Sequence, residues 1–242
     1  MAENGKVGHA TLGGYPLVTA DTAAALAERL AEDVHARLGT AIETRGVASM
    51  VVSGGSTPKP FLERLGALAL DWSRVRVTLA DERWVPHEHP DSNAALVHGT
   101  LLRGAAAEAR LVGLYADAPS PEAGLETVAA GLAEVPRPFD VVVLGMGGDG
   151  HTASLFPDAP ELEHAMTTHD SPLAAVHPPS VTQARITLTR AALIDSAARF
   201  LHVTGADKRE VLEQALADEP RLAPIARVLD EAPDGVTIYW AP

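Results

Sequence analysis

The stretch FDVVVLGMGGDGHTASLFPDAP, residues 139–160, decides the reading of this chain. Val141, Val142, Val143 and Leu144 form an unbroken apolar run, the pattern of a strand buried on both faces of a parallel sheet. Gly145, Gly147, Gly148 and Gly150 follow at once, so the chain after the strand is free to turn sharply and to let a ligand approach its backbone. Asp149 sits among these glycines and His151 directly after them. Open α/β sheets bind their ligands in the crevice beyond the carboxyl ends of the strands. A lone His in a loop is usually structural or solvated, but one placed here, two residues from an acid, is a candidate for catalysis.

The spacing Gly145-x-Gly147-x-x-Gly150 also fits the dinucleotide fingerprint. That pattern should open a long helix and be followed by an acid about 20 residues on. Pro157 and Pro160 leave room for only a short helix, and the motif lies past the middle of the chain. Dinucleotide binding is therefore set aside.

Outward from this centre, other apolar runs end the same way. Val47 to Val52 runs into Ser53-Gly54-Gly55-Ser56-Thr57-Pro58, and a helix is expected from Pro60 to Leu70 with Phe61, Leu62, Leu65 and Leu68 on one face. A strand-to-helix turn of this kind collects backbone N–H groups and hydroxyls where the helix dipole favours an anion. It lacks the Gly-Lys-Ser/Thr ending of a P-loop. Val75 to Leu79 ends in Ala80-Asp81-Glu82-Arg83, which offers an acid pair and a planar guanidinium suited to phosphate. Phe200 to Val203 ends in Thr204-Gly205-Ala206-Asp207-Lys208. A lysine in the first turn of a helix opposes the dipole, and a bound anion would compensate.

The remaining elements alternate around these. Asp21 is expected to cap a helix from Thr22 to Thr44 with Leu26, Leu30, Val34 and Leu38 at helical spacing, ended by Gly46. Asp91 or Ser92 starts a helix to Leu102; Leu111 to Tyr115 reads as a short strand; Ser120-Pro121 caps a helix to Val135. Residues 161–179 and 218–235 read as irregular. Arg185 to Leu188 is a strand followed by a short helix, and Val236 to Trp240 is the last strand. Residues 1–14, polar and Gly-rich, form an arm or edge strand, and 15–242 a single domain. The alternation predicts one α/β domain, a mostly parallel sheet with helices on both faces. The loops 53–57, 81–83, 145–151 and 204–208 should then share one edge.

Composition excludes several function classes. The 242 residues carry 19 Lys and Arg against 32 Asp and Glu, a net charge of −13, which disfavours a nucleic-acid or anionic-membrane surface. The chain has no Cys, so disulfides, thiolate zinc sites and Cys nucleophiles do not arise. His87-x-His89 has no third ligand at a convincing spacing, and His164, His169 and His177 are scattered, so no metal site is expected. The first residues lack the apolar core of a signal peptide, and no run of about 18 apolar residues is present to span a bilayer. A cytoplasmic protein is the expectation.

Taken together, SGGSTP, ADERWVP with its DSN follow-on, GMGGDGHTASLFP and RITLT…TGADKREVL resemble the glucosamine-6-phosphate isomerase/6-phosphogluconolactonase family, on its lactonase side, over residues 15–242. The resemblance implies the fold shared by hexosamine-6-phosphate deaminases and ribose-5-phosphate isomerase. It also implies a cofactor-free cytosolic enzyme, a monomer or weak homodimer, that hydrolyses a small phosphorylated sugar lactone, 6-phospho-D-glucono-1,5-lactone, to 6-phosphogluconate in the pentose phosphate pathway. Carried over by motif, His151 is the general base. Gly54, Gly55, Ser56, Thr57, Arg83 and Lys208 hold the phosphate, with Arg185 as an additional member. Asp149 orients the imidazole or meets a sugar hydroxyl, and Asp81, Gly147, Gly148 and Gly150 line the site.

A δ-lactone is an activated ester, so the chemistry needs a base for water and no covalent nucleophile. Ser154, three residues from His151, gives no sign of completing a triad, and N–H groups of the glycine turn are candidates for the oxyanion. The deaminases of the family keep a Glu five residues after the His, where this chain has Phe156. A non-catalytic sugar-phosphate sensor often carries a DNA-binding appendage; no basic helix-turn-helix extension is read here, and the acidic balance disfavours one.

Overall fold

The computed structural model describes residues 7–230 and 235–242. The first half contains β1 (Val7–Leu12), β2 (Tyr15–Ala20), α1 (Ala23–Arg45), β3 (Ala48–Val52), α2 (Lys59–Gly66), β4 (Val75–Leu79), β5 (Asp81–Arg83), α3 (Asn93–Thr100) and β6 (Arg110–Val112). The second half contains α4 (Pro121–Leu132), β7 (Val141–Leu144), α5 (Leu162–Thr167), β8 (Leu173–Val176), β9 (Arg185–Leu188), α6 (Arg190–Ile194), β10 (Arg199–Thr204), α7 (Ala206–Ala217), α8 (Pro224–Asp230) and β11 (Val236–Ala241).

Among the described residues the main sheet has eight strands in the order β1-β2-β11-β10-β7-β3-β4-β6. Only β1 runs antiparallel, against β2; the other pairings are parallel. The central strands β3 and β7 are buried along their whole length, as their unbroken apolar sequences demand when helices cover both faces. On one side α1 packs on β3, β11 and α2, and α2 packs on α3. A second set packs α7 on β10 and α8, and α8 on α6. The buried face of α1 is the expected row of Leu26, Leu30, Val34 and Leu38.

Because β10, β7, β3 and β4 run parallel and adjacent, their C-terminal loops share one edge. At that edge the chain builds an antiparallel sheet of β5, β9 and β8. Residues 81–83 are thus a strand of this second sheet rather than a plain loop, and Arg185 belongs to it rather than to the main sheet.

Local readings differ at several ends. Thr22, not Asp21, caps α1: its hydroxyl accepts from the Ala25 N–H at 3.2 Å, and Gly46 closes the helix at φ 79°. Helix α2 stops at Gly66, where Ala67 and Leu68 tighten onto the carbonyls of Arg64 and Leu65. Ser92 caps α3, accepting from the Ala95 N–H at 3.2 Å. Helix α4 ends at Leu132, three residues early, and β6 is a shorter strand than expected. The stretches read as irregular contain α5, β8 and α8. Val7–Leu12 is an edge strand of the main sheet.

Candidate active site

A cleft of about 400 Å³ opens at the C-terminal edge of the main sheet, bordered by the loops after β3, β7 and β10 and by β5 and β9. This is a usual volume for a small-metabolite pocket. Gly54, Gly55, Ser56, Thr57, Asp81, Arg83, Gly147, His151, Arg185 and Lys208 all border it. The four loops expected to meet therefore do meet.

One end gathers hydrogen-bond donors and cationic side chains. The N–H of Ser53 is used by the Val143 carbonyl at 3.1 Å, and that of Lys59 by Ser56 at 3.3 Å. Between them the N–H groups of Gly54, Gly55, Ser56 and Thr57 have no partner among the described residues. They cluster at the N-terminus of α2, where orphan donors and the helix dipole act together. Gly54 is required there by packing: a Cβ on it would stand 1.8 Å from Oδ1 of Asn93.

Arg83 and Arg185 are direct cross-strand partners in the β5–β9 pair. Like charges placed opposite each other repel, and an anion between them removes the penalty. Arg83 donates from Nη1 to the Asp91 carbonyl, while its Nε is buried with no partner. Arg185 is only 7 % exposed and donates to the Gln183 carbonyl at 3.3 Å. Burial lowers its affinity for the proton, Asp81 opposes that, and Arg83 adds to it. Lys208, half-buried in the first turn of α7, faces the same space without an ion pair among the described residues.

The other end holds His151. Its Nδ1 lies 2.6 Å from Oδ1 of Asp149, and its backbone N–H donates to the same oxygen at 3.1 Å. A carboxylate on Nδ1 selects the tautomer that leaves Nε2 as a free acceptor. Phe156 stacks on the imidazole, with centroids 4.0 Å apart at 25°. The Arg185 guanidinium lies 6.0 Å from the centre of the same Phe156 ring. Gly147 leaves the space that His151 occupies, since a Cβ there would be 2.2 Å from the ring.

Gly148 and Gly150 do not border the cleft. Gly150, at φ 79°, shapes the turn and accepts from the Ile225 N–H at 3.0 Å, so it serves the packing of α8. Within the turn, the N–H groups of Gly145, Gly147 and Gly150 are already bonded to Ser53, His151 and Gly147. Met146, which borders the cleft, keeps its N–H without a partner among the described residues.

Ser154 donates to Asp81 at 2.5 Å and is fully buried, so its hydroxyl serves Asp81 rather than His151. Glu82, read from sequence as part of an acid pair, points away into the protein. It accepts from the N–H groups of Arg83, Asn93 and Ala94 at 2.7–2.8 Å and from the Ser92 hydroxyl at 3.0 Å. Burial raises its pKa and those backbone donors pull it back. Its carboxylate anchors the start of α3, and Asn93 of that helix in turn donates to the Asp81 carbonyl at 2.9 Å.

Asn93, Phe156 against the imidazole, and His202 also border the cleft, beyond the site residues expected from sequence. His202, in β10, is 3 % exposed with neither ring nitrogen bonded. Burial holds its pKa down at about 4. A wider hollow of about 650 Å³ lies between α1 and the strands beside it, but none of the candidate site residues border it, and its Arg29–Asp33 and Arg45–Asp140 pairs neutralise one another.

Residues 21–240 match the family described as glucosamine-6-phosphate isomerases/6-phosphogluconolactonase. The chain belongs to this family. Among its members, a 6-phosphogluconolactonase of Pseudomonas aeruginosa is 47 % identical over 233 residues, spanning 95 % of this chain and 96 % of that protein. One from Rhizobium meliloti is 48 % identical over 221 residues, 90 % of this chain and 95 % of its own length. The crystal structure of a 6-phosphogluconolactonase from Shewanella baltica superposes with a TM-score of 0.90 at 42 % identity, covering 93 % of this chain and 97 % of that one. The chain is thus an enzyme of the glucosamine-6-phosphate isomerase/6-phosphogluconolactonase family, and these relatives are 6-phosphogluconolactonases.

Proposed function

We propose that this protein hydrolyses 6-phospho-D-glucono-1,5-lactone to 6-phospho-D-gluconate, a step of the oxidative branch of the pentose phosphate pathway. One observation carries the reading: an imidazole held by a carboxylate and a nest of free anion donors face the same cleft. The phosphate sits among the N–H groups of Gly54–Thr57, the facing pair Arg83 and Arg185, and Lys208. The lactone carbonyl then lies toward His151.

Neutral His151, its Nδ1–H donated to Asp149, takes a proton on Nε2 from water as the water oxygen bonds to C1. Asp149 stabilises the imidazolium so formed. The Met146 N–H, without a partner among the described residues, serves as a donor to the developing oxyanion. When the tetrahedral intermediate collapses, the bond from C1 to the ring oxygen breaks and His151 returns its proton to that oxygen. The product acid ionises in water.

Phe156 stands against the imidazole where deamination would require a carboxylate, which disfavours the isomerase and deaminase branch of the family. The acidic balance of the chain, −13 overall, disfavours nucleic acid and anionic membrane as partners, and the family likeness supports a cytoplasmic enzyme acting on a small metabolite as a monomer or weak homodimer. Among the described residues no helix is long and apolar enough to cross a membrane.

The test is the purified protein with freshly made phosphorylated lactone, acid release being followed by titration and the spontaneous rate subtracted. A saturable acceleration is expected. A rate equal to that in buffer would refute the reading.

A further inference from the structure

His202 takes no part in the chemistry above, yet its environment calls for a function. It lies in β10 at 3 % exposure, and both ring nitrogens are buried without a hydrogen-bond partner. Buried polar groups of this kind are uncommon, because each gives up its bonds to water for nothing in return. A phenylalanine would fill the same space without that cost.

Two neighbours say which part of the cleft the ring serves. Its edge meets Phe61 with centroids 6.3 Å apart at 76°. Phe61 belongs to α2, whose N-terminal turn holds the free N–H groups of Gly54–Thr57. On its own strand, His202 leads directly into the loop that carries Lys208. His202 borders the cleft with all of these.

We propose that His202 is a further substrate-binding residue, whose neutral ring N–H donates a hydrogen bond to the phosphorylated end of the ligand once the ligand fills the cleft. This rests on the lactonase reading. A neutral imidazole offers one donor and one acceptor and adds no charge beside Arg83, Arg185 and Lys208. Burial keeps the ring in that form, with a pKa of about 4. Both nitrogens are closed to solvent at the cleft wall, so the bond requires the ring to turn toward the ligand as it seats.

The experiment compares the wild type with His202→Phe, and with His202→Asn and His202→Gln, which restore an N–H at the two ring positions. Kinetics are measured on the phosphorylated lactone and on glucono-δ-lactone, and calorimetry gives the Kd for 6-phosphogluconate. His202→Phe is expected to melt at or above the wild-type temperature. It should nevertheless raise KM for the phosphorylated lactone and Kd for 6-phosphogluconate about tenfold or more, the scale of a bond to a charged acceptor. Its rate on glucono-δ-lactone should stay within about twofold of wild type, and one of the two amide variants should recover affinity. If Phe prevents folding, His202→Leu gives the same comparison. Wild-type affinity in the apolar variant, or equal loss on both substrates, would overturn the proposal. A wild type that binds and hydrolyses the phosphorylated lactone keeps that failure separate from a failure of the lactonase reading itself.

Discussion

Gly54→Ala is the sharpest structural probe of the anion end. A Cβ at position 54 would stand 1.8 Å from Oδ1 and 2.3 Å from Cγ of Asn93. Asn93 cannot swing aside cheaply: it is 2 % exposed, donates from Nδ2 to the Asp81 carbonyl at 2.9 Å, and has its N–H on Glu82 at 2.7 Å. Either the 53–57 turn shifts or Asn93 gives up its bond to Asp81. Losing a buried bond and leaving its acceptor orphaned costs about 1–3 kcal/mol, and the displaced turn adds to that, so about 2–4 kcal/mol of stability should go. Asn93→Ala alone should cost about 1–3 kcal/mol by the same loss. In the double variant the obstacle is gone, so its cost should barely exceed that of Asn93→Ala. Urea denaturation of the four proteins should therefore show sub-additivity of about 2–4 kcal/mol. Gly54→Ala should also raise KM, because the four N–H donors move with the turn. Additive costs, or a Gly54→Ala protein of wild-type stability, would refute the packing account of this glycine.

Other outcomes follow from the same geometry. Arg83→Ala should raise KM for the phosphorylated lactone strongly while hardly changing the rate on glucono-δ-lactone; equal loss on both would move Arg83 from the phosphate to the sugar or the fold. His202 contributes to acid lability: its pKa falls from the ordinary 6.5 to about 4 in the fold. The unfolded chain then takes up a proton between those values that the folded chain refuses, so stability is full above pH 6.5 and lost as pH falls toward 4. At 1.36 kcal/mol per pH unit this loss is about 3 kcal/mol. The stability advantage of His202→Phe over wild type should widen by that amount across the window in urea titrations; a constant difference would contradict it. Glucosamine 6-phosphate should release no ammonia, since Phe156 occupies the position of the deaminase carboxylate; turnover above a His151→Ala control would reverse the choice of branch.

The parts of the site that sequence made legible share one property: an apolar strand that ends abruptly in glycine and polar residues. This is true of Val141–Leu144 before the glycine turn, of Ala48–Val52 before Ser53, and of β10 before Lys208. Parallel strands then oblige these loops to share an edge. What sequence hid depends on contacts distant along the chain. The three residues 81–83 are too short to show a strand period, and their partner is β9, about a hundred residues away. Glu82 beside Asp81 looks like a second site acid; only the N-terminus of α3, folded back over it, turns it inward. Asn93 reads as the first residue of a helix, and its meeting with Gly54 has no local signature. His202 sits in an apolar strand, where periodicity marks it as buried but cannot say that its nitrogens lack partners. In Tyr15–Ala20, Pro16 breaks the strand pattern in sequence; the ladder to β11 begins only at Leu17, so the proline's missing N–H costs no bond there.

The central claim is that His151, held by Asp149, activates water at the lactone carbonyl. The most direct measurement is kcat of His151→Ala on the phosphorylated lactone, corrected for spontaneous hydrolysis, alongside its calorimetric Kd for 6-phosphogluconate. Loss of a general base predicts a fall in kcat of about 10²–10⁴, with product affinity changed only a few-fold because the phosphate end is intact. A folded His151→Ala protein with near-normal kcat would contradict the claim.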